Sequence, residues 1–257
     1  ATGDYAAARD GFSELARSRT RDADLLYELA RAEYKVGDNK RALETLERVL
    51  ELESAHAEAL YLLGSVNMGR LNEVSVFRKL GFAKRAVKAG EDAALAAPES
   101  VRAHFAVFSF YAHAPGMAGG DLESAKSKLP VIERLSESYG HVARGVLAEK
   151  AEAFDEAMDR YIRAAAAHDA PSATQFTLAR YRLDRDDVDG AREAFARYRE
   201  MEHDWEDPDE TAQLWLDGRI HEAQGNPDRA RDAWTEALAL NPPKGMVDAL
   251  KEAIDEL

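Results

Sequence analysis

The side chains most able to do chemistry are seven histidines: His56, His104, His113, His141, His168, His203 and His221. No two of them stand three or four residues apart and no HExxH occurs, so no helix offers two imidazoles to one metal ion. The chain has no cysteine, which removes thiolate zinc sites, iron–sulfur clusters, disulfides and cysteine nucleophiles together. His104 and His141 occupy like positions in successive segments, but a zinc ion between them would need further ligands that the sequence does not offer. The run HDWEDPDE from His203 to Glu210 is acidic enough to attract calcium. It lacks the glycine and ligand spacing of an EF-hand loop, so a solvated loop is expected. No serine elbow is present. Carboxylate pairs among 48 acids are too common to mark a site. The expectation is no catalytic residue, no metal, no cofactor and no enzyme.

The elements that position these residues follow from alanine. There are 48 alanines in 257 residues, with only 16 glycines and 8 prolines, and this composition predicts an all-α chain. An alanine followed four residues later by a large apolar residue recurs at Ala8/Phe12, Ala42/Leu46, Ala125/Leu129, Ala157/Tyr161, Ala191/Phe195 and Ala230/Trp234, with a weaker copy at Ala86. The alanines are 34, 44, 39, 32, 34 and 39 residues apart. Leu29-Ala30, Leu63-Gly64 and Leu178-Ala179 put a small residue in the preceding helix, and Asp217-Gly218 keeps the small half. Gly37, Gly120 and Gly225 mark the turns, where a positive φ is expected. Pro98 and Pro242 stop second helices.

A 34-residue helix–turn–helix unit with insertions resembles the tetratricopeptide repeat (TPR) family. The resemblance implies a right-handed α-solenoid of about six to seven helix pairs with a C-terminal capping helix. Residues 1–257 are then one domain. Residues 1–20 are the second helix of a truncated repeat, and 22–54, 57–98, 101–137, 138–170, 172–203 and 211–242 are repeats. Residues 243–257 are the cap, with Met246, Val247, Leu250, Ile254 and Leu257 on one side. The chain opens on a second helix without an initiator Met, so a processed product with an upstream targeting segment is expected.

In such a solenoid the first helices line the groove. Taking the fifth residue of each expected first helix gives Tyr27, Tyr61, Phe105, Val142, Phe176 and Trp215, five of the six aromatic where the whole chain is 8% aromatic. Either an aromatic-lined groove for a peptide or hydrophobic small molecule, or plain interhelical packing, accounts for this stripe. Arg31, Arg180 and Arg219 share the expected face and would pair with a carboxylate or phosphate of the occupant. The Lys/Asn set with which some TPR proteins clamp an acidic C-terminus is replaced here by Arg31, Ser65 and Ser109, so that clamp is not expected.

The net charge is −14, which argues against nucleic acid as a partner. One stretch opposes that balance. Phe77 to Lys88 carries Arg78, Lys79, Lys84, Arg85 and Lys88 among apolar residues. Peripheral contact with a partner or an anionic membrane surface is one reading. A long helix packed by its apolar side, with solvated basic residues, is the favoured one. The run FYAHAPGMAGGD from Phe110 to Asp121 is similar to the FY-x-x-APG-x-x-GG stretch of proteobacterial envelope TPR proteins. Asp121 is expected to cap the following helix. That resemblance implies a periplasmic or lipid-anchored protein holding a peptide or protein partner in an envelope complex. The alternative is a binding component of a transport system, enclosing a lipid- or sterol-like molecule in the aromatic groove.

Overall fold

In the computed structural model the described residues are 4–72, 74–240, 242 and 244–257, with the side chains of Asn72, Val76, Phe77 and Lys244 outside the described set. Phe77, the start of the basic contact segment, is thus not described beyond its backbone. Among the described residues there are fourteen α-helices, no strand and two single 3-10 turns.

The described residues divide into two compact units, 4–143 and 144–257, with the break inside one helix. The first unit holds α1 (Tyr5–Ser18), α2 (Ala23–Lys35), α3 (Asn39–Leu52), α4 (Ala57–Gly69), α5 (Val76–Ala96), α6 (Val101–His113) and α7 (Leu122–Leu135). Helix α8 (Glu137–Lys150) carries the break. The second unit continues through α9 (Phe154–Ala166), α10 (Ser172–Leu183), α11 (Val188–Glu200), α12 (Glu210–Ala223), α13 (Pro227–Ala239) and α14 (Lys244–Asp255). Within each unit consecutive helices pack as antiparallel pairs, α2 on α3, α4 on α5 and α6 on α7 in the first, α10 on α11 and α12 on α13 in the second.

Local chemistry sets the helix ends. Asp4, Asp22, Asp38, Asp187 and Asp209 each accept the amide hydrogen of the residue three further on, which satisfies a donor the helix leaves orphaned. At four turns the residue just before the N-cap of the second helix has positive φ: Gly37 at +80°, Glu152 at +58°, Asp186 at +62° and Gly225 at +72°. The amide after each donates five residues back, as Asp38 to Glu33 at 2.9 Å and Asp187 to Arg182 at 3.0 Å, which closes the preceding helix.

The alanine register becomes the helix contact. Ala42, Ala125, Ala157, Ala191 and Ala230 are fully buried and Ala86 is 5% exposed. Small first-helix residues receive the partner. A Cβ on Gly64 would meet the Ala86 carbonyl at 3.3 Å, and one on Gly145 would meet the Tyr161 ring at 2.8 Å. Helix α14 covers the end of α13: Leu250 is fully buried against Ala230, Trp234 and Ala237, with Met246, Ile254 and Leu257 beside it. Exposed ends of repeat arrays need such a cover.

Candidate functional site

The first helices of the two units are α2, α4 and α6, and α10 and α12. Tyr27 on α2 is half-buried, its ring 5.2 Å from that of His56, and burial pushes its phenol up from the ordinary value against the opposing charge of Arg31. The Arg31 guanidinium lies 6.0 Å from the same ring and pairs with Glu28 at 2.5 Å. Tyr61 on α4 packs beside the buried Leu60, Ala93 and Ala103. Phe105 on α6 stands edge-on to Tyr139 at 5.0 Å and tilted to Phe108 at 5.6 Å. Val142, on α8, is partly exposed.

In the second unit Phe176 on α10 meets Phe195 and Tyr198 of α11 at 6.2 and 5.3 Å. Trp215 on α12 meets Trp234 of α13 at 5.6 Å. Phe176 and Trp215 therefore give part of their surface to the joint with their own second helix, while each keeps a partly exposed remainder. Within each unit these rings pack on neighbouring helices and keep part of their surface open.

The arginines of that face are already engaged. Asp184 takes Arg180 at 3.5 Å and Arg219 at 3.0 Å, so one carboxylate bridges two first helices. With two guanidiniums on one carboxylate the cluster keeps a net positive charge, and its side chains are 51, 38 and 33% exposed in the order Arg180, Asp184, Arg219. Sequence reasoning named both arginines and missed the acid. The signal was present, because Asp184 lies four residues after Arg180 on one helical face. It also lies 35 residues before Arg219, about one repeat. Glu99 with Arg134 at 3.0 Å and Ser172 with Asp207 at 2.7 Å repeat that separation.

Three first helices carry an aromatic residue and an arginine four residues later: Tyr27/Arg31, Phe176/Arg180 and Trp215/Arg219. This spacing sets ring and guanidinium side by side on one helical face. Such a pair offers apolar area and a fixed fork of donors, which suits an extended peptide or a carboxylate-bearing side chain.

Two other segments are built differently from their sequence reading. Positive φ in the glycine loop falls on Gly119, at +102°, rather than on Gly120. Gly120 is needed for space, since its Cβ would sit 1.7 Å from the Ala114 carbonyl oxygen. Asp121 caps α7 by accepting from the Glu123 and Ser124 amides, and bonds from the Ser124 hydroxyl and amide hold its carboxyl below the usual range. Those amides are occupied, so they hold no anion from outside. Tyr111 donates to Glu91 at 2.8 Å, tying α6 to α5, and its phenol is pushed up to about 12, first by desolvation and then by that carboxylate.

The acidic run is not simply solvated. Asp207 is 8% exposed and accepts from the Ser172 hydroxyl at 2.7 and 2.8 Å and from the Asp204 amide at 2.7 Å. His203 Nδ1 lies 3.3 Å away. Of the two histidines at like positions, His104 Nε2 bonds to the Pro98 carbonyl at 3.0 Å, and His141 Nδ1 is buried without a hydrogen bond. A cleft of about 340 Å³ in the second unit is lined by Phe195 and Arg199 of α11, Leu214, Asp217 and His221 of α12, and Arg229, Asp232 and Glu236 of α13. Its wall is mostly charged and the sequence reading did not foresee it.

The tetratricopeptide repeat family model matches residues 27–73 and 176–245. Among curated proteins none matches the chain. Among solved structures, a tetratricopeptide repeat protein from Parabacteroides merdae is similar with a TM-score of 0.62 at 16% identity, over 98% of this chain and 92% of that one. A thermophilic TPR protein of Thermus thermophilus gives 0.58 at 22% identity, over 79% and 99%. A chain of the Cut9–Hcn1 hetero-tetramer of the APC/C gives 0.58 at 15% identity, over 98% and 47%. At these identities the likeness is one of fold: helix pairs of the tetratricopeptide type.

Proposed function

We propose that this chain, built of tetratricopeptide helix pairs, is a non-catalytic binding module that holds a peptide or protein partner on the exposed faces of its first helices. The observation that carries this reading is the ring-and-arginine pair repeated on α2, α10 and α12. A solvated arginine beside a half-open ring contributes little to folding, whereas both groups are rich in binding energy when a partner desolvates them. The Arg180–Asp184–Arg219 cluster supports it further, because it is preorganised and retains positive charge for a carboxylate of the partner. One similar fold is solved within a hetero-tetramer, which agrees with a scaffold role.

The location belongs to the same proposal. The likeness of Phe110–Asp121 to envelope TPR proteins supports a periplasmic or lipid-anchored protein in an envelope complex, and fractionation of source cells with an antiserum tests it. Recovery in the cytosolic fraction alone would sink that part.

For the binding face, a photoreactive residue is placed singly at Arg31, Arg180 or Arg219, and for comparison at the exposed second-helix residues Lys40, Arg192 or Arg229. Partner adducts are expected from the first set and not from the second. Equal labelling from both sets would refute a first-helix site. A lipid- or sterol-like molecule retained through purification and released by organic extraction would turn the reading to the small-molecule alternative.

A further inference from the structure

A second surface, chemically opposite to most of the molecule, lies on α5. This helix has 21 residues, where the other second helices α3, α7, α9, α11 and α13 have 13 or 14. From residue 76 to residue 88 it carries five cations and no acid, in a chain of net charge −14. Arg78, Lys79 and Lys84 are exposed and make no ion pair among the described residues. Lys88 is set apart, being closed onto Asp92 at 2.5 Å.

Arg85 is held in place. Its Nε donates to Asn67 Oδ1 at 3.3 Å, and its guanidinium lies 4.2 Å from the centre of the Phe82 ring. Asn67 is fully buried and is itself fixed by donating to the Leu63 carbonyl at 2.7 Å. The Arg70 guanidinium, at the end of α4, lies 5.4 Å from the same ring. The buried Asn67 amide keeps Arg85 there without neutralising it.

The apolar side of α5 is spent inside the protein, where Phe82, Ala83, Ala86, Ala89 and Ala93 are buried. Between residues 78 and 88 the large apolar side chain left well exposed is Leu80, at 41%. A helix that lies in a membrane interface needs a continuous apolar face to insert, and among the described residues the stretch from 78 to 88 offers only Leu80. The geometry points to an acidic segment of a polypeptide partner docking on Arg78–Arg85, its carboxylates taken by the fixed Arg85 and by Lys79 and Lys84. This site is independent of the first-helix faces.

The test uses the whole chain and a labelled oligo-glutamate peptide, with anisotropy read at low and at raised salt. Binding that weakens with salt is expected, and R78E/K79E/K84E should weaken it by on the order of tenfold or more. The three residues make no contacts the fold needs, so circular dichroism should be unchanged. Arg192→Ala, at an exposed cation outside both surfaces, should leave this binding unaltered, which separates it from a general charge effect. Equal binding by wild type and the triple variant would overturn the proposal. So would preferential binding to phosphatidylglycerol vesicles over the peptide, or low-salt self-association, by light scattering, that the triple variant abolishes.

Discussion

Trp234 lies across Gly218 so closely that a Cβ on the glycine would meet the indole Nε1 at 2.1 Å. The same nitrogen donates to the Trp215 carbonyl at 3.2 Å, so the ring is pinned over the gap. Absence of a side chain at Gly218 is thus what lets α12 and α13 close. In a solvated helix interior glycine to alanine gains about 1 kcal/mol. Here the clash reverses the sign. Gly218→Ala should cost about 1–3 kcal/mol by denaturant unfolding. Gly11 on α1 meets nothing within 4 Å, and Gly11→Ala should gain about 0.8–1 kcal/mol. The same sign for both would contradict this account.

Glu152 holds φ at +58° in the turn after α8, where two sister turns have glycine. A left-handed conformation costs a side-chain-bearing residue about 1–2 kcal/mol, and glycine gives part of that back through its looser unfolded chain. Glu152→Gly should therefore stabilise the protein by roughly 0.5–1 kcal/mol, seen as a higher melting temperature. A lower one would mean that Glu152 has a stabilising partner outweighing its backbone.

Ser172 and Asp207 join the start of α10 to the loop before α12. Removing the hydroxyl leaves a buried carboxylate short of a donor, and hydrogen bonds to charged groups contribute about 1.5–3 kcal/mol. Ser172→Ala should lose stability in that range. Amide exchange across residues 202–208 should quicken more than exchange in α13. If the loss is spread evenly instead, the loop is not held by this bond.

Burial raises the Glu33 carboxyl above its ordinary value of 4.5, partly opposed by the Thr45 hydroxyl that donates to it at 2.8 Å. The folded state then holds more protons than the unfolded one between the ordinary and the raised value, so stability falls as pH rises through that window. Glu33→Gln keeps an acceptor for Thr45 and removes the desolvated charge. A flatter stability profile as pH rises above the ordinary carboxylate value, and a higher melting temperature at neutral pH, are expected. An unchanged profile would show that Glu33 is hydrated when folded.

The fold was legible because its determinants are local. Ala42, Ala191 and Ala230 announce themselves by a large residue four places on, and that spacing describes one helical face before any packing exists. The cap residue Asp121 was readable for the same reason, acting on amides two and three residues away. Site residues were less so. Arg180 and Arg219 looked like free anchors because Asp184 reaches Arg219 only once α12 is stacked beside α10.

By itself the sequence determined the helices, their pairing and the small residue at each joint, since these depend on periodicity and on contacts inside one hairpin. Tertiary structure decided which rings keep an open edge, that Gly119 turns while Gly120 makes room, and that Asp207 is buried. It also decided that Arg85 is steered onto Phe82 by an asparagine 18 residues away. The physical reason is range. Burial and charge pairing depend on which neighbours a stacked repeat supplies, and a period counts neighbours without aiming their side chains.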